Sequence, residues 1–341
     1  MTGVSQPSIS NLITMKHTKF VLLFAIIGAS LVPSSNVAAQ TLYSDNFDSG
    51  LSGANWISRL SGADASASFA FNYGSLGIPS APNSVGGTTI GMNFLANQSV
   101  GIQQGVSASP VGQSFTGDFR IRFDMWLNYN GRLDGGGNGS TQVGSFGWGT
   151  SGASAQWAGS SSSIMFGATG DGGSSFDYRV YRTNGLVSPS VVTGVYAAGN
   201  IGDSTANDSR NNTATYYTTR FGGEVAPSAQ LTLFPQQTNA TPAGAIGFRW
   251  RDVVVEKAGS ILTWTVDGQL ITTIDSTGAT LSGNNIFFGQ FDINAGSSTD
   301  PNDSLITSIY DNIRVEAVPE PSTIALSLLG ALGLICLRRK K

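Results

Sequence analysis

Apolar and polar side chains alternate strictly over residues 118–129, and this is the clearest pattern in the chain. One face would carry Phe119, Ile121, Phe123, Met125, Leu127 and Tyr129. The other face would carry Asp118, Arg120, Arg122, Asp124, Trp126 and Asn128. A period of two residues predicts a half-buried strand of an antiparallel sheet.

A hairpin and several shorter strands follow the same logic. Residues 261–266 and 269–274 are rich in β-forming side chains and flank Asp267-Gly268, the two-residue signal of a type I′ turn. Tyr216-Tyr217 is also predicted to lie in a strand rather than to form a ligand-binding site. Further strands are predicted at residues 178–182, 253–255, 286–288 and 309–315. Many short strands with turn-rich connections and no amphipathic helix predict one large β-sandwich or barrel over residues 40–317.

The N-terminal segment has the order of a secretory signal. A basic stretch at residues 15–19 precedes an uncharged apolar run at 20–32, and small residues follow at 37–39. This order predicts a signal peptide over residues 1–39, with cleavage between Ala39 and Gln40. An uncleaved anchor is the alternative, although the run is shorter than the roughly 20 residues of a comfortable span. Residues 1–14 are polar, which suggests translation from Met15.

The C-terminal segment, residues 318–341, predicts one transmembrane helix. The triplet Pro319-Glu320-Pro321 precedes an apolar run at residues 324–337. As a helix, this run would be about 21 Å long. Because the hydrocarbon core is about 30 Å thick, the span is short. The terminal cations are expected to stay in the cytoplasm, with the body outside. The segment's defining residues are Pro319, Glu320, Pro321, Arg338, Arg339, Lys340 and Lys341.

This tail resembles the PEP-CTERM sorting signal of Gram-negative bacteria that make extracellular polysaccharide. The Pro-Glu-Pro triplet, the apolar span and the basic cluster carry the resemblance. It implies that exosortase, a membrane protease-transpeptidase, recognises and removes the tail. The expected location is therefore transient anchoring in the inner membrane by the C-terminal helix, then the outer surface or the extracellular matrix. An ordinary tail anchor is the alternative.

Composition excludes several kinds of chemistry from the body. The only cysteine is Cys336 and the only histidine is His17, so both lie in the terminal segments. Disulfides, Ser-His-Asp or Cys-His catalysis, and zinc or haem sites built from these residues are excluded there. The body holds 21 − 1 = 20 of the acidic residues, since Glu320 lies in the tail, and 18 − 6 = 12 of the basic ones, a net charge of −8. This charge disfavours nucleic acid as a partner and leaves oxygen ligands for Ca²⁺.

Three segments resemble a concanavalin A-like (laminin G or legume-lectin type) jelly roll. They are residues 42–48, residues 250–275 with their Trp-x-Val-Asp-Gly hairpin, and residues 310–315. The resemblance implies an all-β, antiparallel jelly-roll β-sandwich in which the first and last strands pair. It assigns no binding residue.

Three sets of residues are candidates for chemistry. Asp252 and Glu256 would share one strand face, as a catalytic carboxylate pair or simply as a solvated face. An Asp–Asp pair assembled from distant loops stays open beside them. A structural Ca²⁺, with a plain polar loop as the alternative, could be held by Asp292, Asn294, Asp300, Asn302 and Asp303. Sugar rings could stack on Trp126, Trp148 and Trp157, with core packing as the alternative for each.

The favoured function is a non-enzymatic surface or matrix protein whose sandwich binds polysaccharide or is structural. No catalytic residue and no cofactor is assigned. The alternative is a glycan hydrolase or lyase that depends on carboxylates alone.

Overall fold

The structure of the chain is a computed structural model. It describes residues 39–96, 98–99, 102–129, 142–174, 176–182, 194–196, 210–235, 237, 240–293 and 303–318. All of them lie within one compact unit, Ala39–Lys341. The signal peptide, the apolar C-terminal run and its basic cluster lie outside the described residues, so their predicted roles stay predictions.

Strands dominate the described residues. They are β1 Thr41–Asp45, β2 Trp56–Leu60, β3 Ala65–Asn72, β4 Ile90–Ala96, β5 Gly105–Pro110, β6 Phe119–Asn128, β7 Gln142–Thr150, β8 Ile164–Thr169, β9 Tyr178–Arg182, β10 Gly194–Tyr196, β11 Arg251–Ala258, β12 Ile261–Val266, β13 Gln269–Asp275, β14 Asn285–Asp292 and β15 Thr307–Ala317. Two short helices are α1 Thr215–Thr218 and α2 Ser228–Leu233, and 3-10 turns occur at Ser52–Asn55, Tyr73–Leu76, Val85–Gly87 and Asp303–Leu305.

The strands form two antiparallel sheets. Sheet A has the order β10-β13-β12-β11-β6-β15-β4-β3, with β1 also paired to β15, and sheet B has the order β2-β5-β14-β7-β8-β9. The first and last strands pair, with Tyr43 opposite Val315. The prediction of an all-β antiparallel sandwich with paired terminal strands is therefore confirmed.

The two sheets face each other across an aromatic core. Phe123 of β6 contacts Phe146 of β7 and Phe288 of β14, with ring centroids 5.0 and 4.9 Å apart. These rings belong to the predicted apolar face of β6 and to the facing strands of sheet B. Burial of each such side chain contributes about 1.5–3 kcal/mol, which is why the alternation fixes the orientation of the strand.

The predicted hairpin is present. Strands β12 and β13 are joined by Asp267 and Gly268, whose φ angles are 50° and 75°. Two successive positive φ angles are what a type I′ turn requires. The Asp267 carboxylate also accepts hydrogen bonds from Arg251 and from the backbone N–H of Asp252. The turn is thereby tied to the start of β11.

A second apolar cluster covers part of the outer face of sheet A. Trp126 of β6 is buried there against Trp250, with ring centroids 5.7 Å apart, and Trp250 contacts Tyr73 at 5.1 Å. The prediction of a half-buried strand is therefore wrong at Trp126, where the second face of β6 is buried as well. Tertiary packing overrides the alternation, because the segments that carry Tyr73 and Phe248 fold back over this end of the sheet.

Tyr216-Tyr217 was expected in a strand, but both lie in the one-turn helix α1. The reason is packing, because the Tyr217 ring stacks on Tyr178 with centroids 4.1 Å apart.

No helix among the residues that the structure describes is both long and apolar enough to cross a membrane.

Candidate functional site

The open part of the outer face of sheet A carries two rows of side chains that cross the strands. Register places the first row along β15, β6 and β11 at Glu316, Arg120 and Glu256. The second row lies along β15, β6, β11 and β12 at Arg314, Arg122, Val254 and Thr265. Side chains directly opposite on neighbouring strands are about 5 Å apart, so each row is a continuous surface.

Carboxylates fix the arginines of these rows. The Arg120 Nη2 atom lies 2.6 Å from Glu256 Oε2, and Arg122 Nε lies 2.7 Å from Asp252 Oδ1. The hydrogen bond to Asp252 also raises the pKa of Arg122. Asp252 and Glu256 thus share a face, and each accepts a hydrogen bond from an arginine. Their catalytic role stays an untested alternative.

Two depressions adjoin at Arg122, and together we name them the polar groove. The first, about 460 Å³, is lined by the loop after β1 and by Asn83, Asn312 and Arg314. The second, about 450 Å³, lies over β6, β11 and β12, between Arg120 and Thr265. From β1 to β12 the groove crosses five strands, a distance of about 19 Å at the usual strand spacing.

The wall of the first depression is anchored by Asp45. Its carboxylate accepts hydrogen bonds from Ser52 Oγ at 2.7 Å and from Trp56 Nε1 at 2.9 Å. It also accepts one from the backbone N–H of Phe47, which has a φ of 59°. Because Trp56 is part of the main core, this polar wall is held by a rigid element.

A β-bulge in β15 shapes the floor of the groove. Asp311 lies opposite Asp124, and Arg314 lies opposite Arg122, so Asn312 and Ile313 together face one residue of β6. Asn312 has a φ of 52°, a left-handed conformation that asparagine tolerates better than most residues. The extra residue shifts the alternation, so that Asp311 and Arg314 both point to the outer face.

Asp124 and Asp311 form a buried carboxylate pair at the edge of this floor. Asp124 accepts hydrogen bonds from Asn83 Nδ2 at 2.7 Å and from Asn312 Nδ2 at 2.8 Å. Asp311 Oδ2 accepts hydrogen bonds from the Tyr73 hydroxyl at 3.0 Å and the Ser84 hydroxyl at 3.1 Å. The two side chains are 1% and 0% exposed, because Asn83 and Ser84 lie over them.

Burial changes the protonation of the carboxylate pair. It raises the pKa of Asp311 to about 7, and the charge of neighbouring Asp124 adds to the effect. Burial also raises the pKa of Asp124, against hydrogen bonds from Asn312 and Asn83 that lower it. Sequence reasoning did not name this pair. Its only signal was the general possibility of an Asp–Asp pair between distant segments.

The three candidate tryptophans have different environments. Trp126 and Trp148 are 2% and 6% exposed, in the second cluster and the main core, and Trp148 Nε1 donates a hydrogen bond to the Phe115 carbonyl at 3.0 Å. Trp157 is half-buried against the outer face of sheet B. Core packing accounts for the first two, and a sugar contact stays a prediction for all three.

The proposed Ca²⁺ loop lies largely outside the described residues. Of its five candidates, Asp292 has a described side chain, and it is fully buried at the end of β14. No group of three or more His, Cys, Asp or Glu side chains that could hold a metal occurs in the part of the chain that the structure describes. The set of five ligands therefore stays a prediction.

Comparison with known proteins supports the assignment of the tail. Residues 317–340 match the family model described as the PEP-CTERM protein-sorting motif. The chain is thus an antiparallel β-sandwich with a PEP-CTERM sorting motif at its C-terminal end. The motif implies processing by exosortase and sorting to the surface. No curated protein matches the sequence.

Solved structures with related strand arrangements are remote in sequence. A Bacillus subtilis protein of unknown function with a galectin-like fold is 9% identical, with 82% of this chain and 96% of that chain aligned at a TM-score of 0.41. A Bacillus licheniformis beta-glucanase is 11% identical, with 83% of this chain and 100% of that chain aligned at a TM-score of 0.39. The Emp47p carbohydrate recognition domain is 8% identical, with 76% of this chain and 90% of that chain aligned at a TM-score of 0.35. All three TM-scores are below 0.5, so the fold assignment rests on the strand pairing itself.

Proposed function

We propose that this chain is a non-enzymatic surface or matrix protein that binds polysaccharide along the polar groove. The observation that carries the proposal is the groove itself, which crosses five strands and is open to solvent on the outer face of sheet A. Sorting to the surface by the PEP-CTERM motif would bring it to the place where extracellular polysaccharide accumulates.

The chemistry of the groove suits sugar hydroxyls, which donate and accept hydrogen bonds. Its lining combines guanidinium donors with carboxylate and amide acceptors, such as Arg122, Asp252 and Asn83. Each depression has the size of an ordinary small-molecule site, about 300–1,000 Å³. The ion pairs hold Arg120 and Arg122 in place, so less conformational entropy is lost when a ligand binds.

The charge of the groove favours a neutral polysaccharide over an acidic one. The two depressions are lined by three arginines, Arg120, Arg122 and Arg314, and by three carboxylates, Asp45, Asp252 and Glu256. These charges balance within the groove. The body as a whole carries the net charge of −8 derived above, which would repel a polyanion at low ionic strength.

The surroundings of the carboxylates support binding without hydrolysis. Glycosidases need two carboxyl groups that reach the substrate from opposite sides of the bond. Asp252 and Glu256 are engaged by arginines, and Asp124 and Asp311 lie beneath Asn83 and Ser84. No carboxyl pair of the groove is both unengaged and exposed among the described residues.

The test is retention on neutral polysaccharide by the protein purified from the cell surface. We expect the wild-type protein to bind and Arg122→Ala to bind at least tenfold more weakly, because Arg122 lines both depressions. Arg249→Ala is the matched control, since this arginine also pairs with a carboxylate, Glu224 at 3.2 Å, and lines neither depression. Equal loss in both variants, no binding by the wild type, or release of reducing sugar would refute the proposal.

A further inference from the structure

Buried amide groups without partners gather at one end of the sandwich. Neither the oxygen nor the nitrogen of the Gln142 amide has a hydrogen-bond partner, and the same is true of the Gln290 amide oxygen. Gln142 is 6% exposed and Gln290 is fully buried. Nine-tenths or more of buried polar groups in proteins are paired, so several orphan atoms in one place call for a bound species.

Strand register brings these groups together with a carboxylate. Gln142, the first residue of β7, lies directly opposite Asp292, the last residue of β14. Gln290 lies two residues before Asp292 and so shares its face of β14. That face also carries Phe288, which is in the main core, so all three side chains point between the two sheets.

The orientation of the Gln290 amide is fixed. Its Nε2 atom donates a hydrogen bond to the Ile306 carbonyl at 3.1 Å, which leaves the oxygen pointing elsewhere. A flipped amide would place two acceptors against each other, so the assignment of oxygen and nitrogen follows from this contact. The Gln142 amide has no such hydrogen bond, so its oxygen can turn toward the Gln290 oxygen and Asp292 in the space between the two sheets.

Sheet A approaches sheet B closely next to these three side chains, on the side toward the main core. Gly144 lies opposite Gln290 on β7, and a side chain there would collide with Leu127 of β6, 2.4 Å from an ideal Cβ atom. The same Cβ would also lie 2.8 Å from Ser308 Oγ. The polar side chains therefore occupy the end of the sandwich beyond this close approach.

We infer that Gln142, Gln290 and Asp292 contribute to a binding site for a hard divalent cation of the Ca²⁺ kind. A carboxylate and two amide carbonyl oxygens are ligands that Ca²⁺ prefers, and backbone carbonyls and water complete its six to eight contacts. With a single carboxylate among these three ligands, affinity belongs to the weak class of extracellular sites, with a Kd of about 0.1–1 mM.

Thermal unfolding of the full-length protein tests the site. In 10 mM CaCl₂ we expect the midpoint to rise by about 3–10 °C above its value in EDTA, from binding to the folded state alone. Asp292→Asn and Gln142→Leu should abolish this shift. Gln156→Leu and Asp311→Asn are the controls, since they alter another buried amide and another buried carboxylate, and should retain it.

Calorimetric titration with CaCl₂ keeps the inference testable if those variants fold poorly. Gln142→Glu adds a second carboxylate at the same position, so we expect about tenfold tighter Ca²⁺ binding at unchanged stoichiometry. Absence of a Ca²⁺ shift in the wild type, retention of the shift in Asp292→Asn, or unchanged affinity in Gln142→Glu would overturn the inference. The amides would then be hydrated by water alone.

Discussion

On the outer face of sheet A, the row that contains Arg120 and Glu256 is open to solvent, whereas the row that contains Asp124 and Asp311 is closed. The open row pairs each charge with an opposite one across the strands. The closed row places two like charges opposite each other and stabilises them with neutral donors from Asn83 and Ser84.

Burial, rather than residue type, thus determines the roles of these acidic side chains. An exposed ion pair contributes little to folding, typically about 0–1 kcal/mol, but its charges remain available to a ligand. A buried carboxyl with several hydrogen bonds is costly to disturb and unavailable to a ligand. We therefore assign recognition to the polar groove and stability to the carboxylate pair.

Removal of a buried carboxyl should have the largest effect. Asp311→Ala removes the acceptor of the Ser84 hydroxyl and of the Asn312 N–H, and one of the acceptors of the Tyr73 hydroxyl. We expect the free energy of unfolding to fall by about 4 kcal/mol, measured by denaturant titration. Asp252→Ala removes a carboxyl that is partly exposed and paired with Arg122, so it should cost less than about 1 kcal/mol. Similar losses in the two variants would contradict the division of roles.

The pH dependence of stability should have a comparable size. Because burial raises the pKa of Asp311 from 3.8 to about 7, the folded protein holds its proton more tightly than the unfolded chain. The stabilisation is complete below about pH 4 and is lost as the pH rises through 7, a total fall of about 4 kcal/mol. Asp311→Asn cannot titrate, so its unfolding free energy should be flatter over this range. A wild-type curve without this fall would refute the assignment.

The bulge residue should have an intermediate effect. Asn312→Ala removes the hydrogen bond to Asp124 and places a less tolerant residue at a φ of 52°. We expect a loss of about 2 kcal/mol. Asn312→Gly tolerates the left-handed backbone but lacks the hydrogen bond to Asp124. Its unfolding free energy should therefore lie between those of the wild type and Asn312→Ala. If glycine and alanine cost the same, the left-handed conformation contributes nothing.

The smallest effect is expected for the exposed pair of Arg120 and Glu256. A double-mutant cycle to alanine should give a coupling energy of about 0.5 kcal/mol, because both side chains are more than a third exposed. The coupling should shrink further in 1 M NaCl, where screening is strong. A coupling above about 2 kcal/mol would mean that the open row is a stabilising element.

Much of the fold could be predicted because its signals are local. The alternation in β6 and the Asp267-Gly268 turn depend on neighbours in the chain. The pairing of β1 with β15 is long-range, and it was implied by the family resemblance. Core packing of Trp126 was one of the two interpretations that the sequence left open, but its partners could not be predicted, because they lie on segments that fold back from elsewhere in the chain.

The site was harder to predict for a related physical reason. Asn312 and Asp124 are 188 positions apart, and a single sequence does not show that a bulge in β15 places them in contact. Asp252 and Glu256 were correctly placed on one face, since their spacing within one strand determines this. Their arginine partners come from another strand, so the ion pairs were not predictable.

Polysaccharide affinity and unfolding free energy, measured on the same two variants, separate recognition by the polar groove from stabilisation by the carboxylate pair. Arg122→Ala should lose at least tenfold in affinity for neutral polysaccharide, with its unfolding free energy within about 1 kcal/mol of the wild type. Asp311→Asn should keep the wild-type affinity while its dependence of stability on pH flattens. Unchanged affinity in Arg122→Ala, or lost affinity in Asp311→Asn, would contradict the assignment of recognition to the open rows and stability to the buried pair.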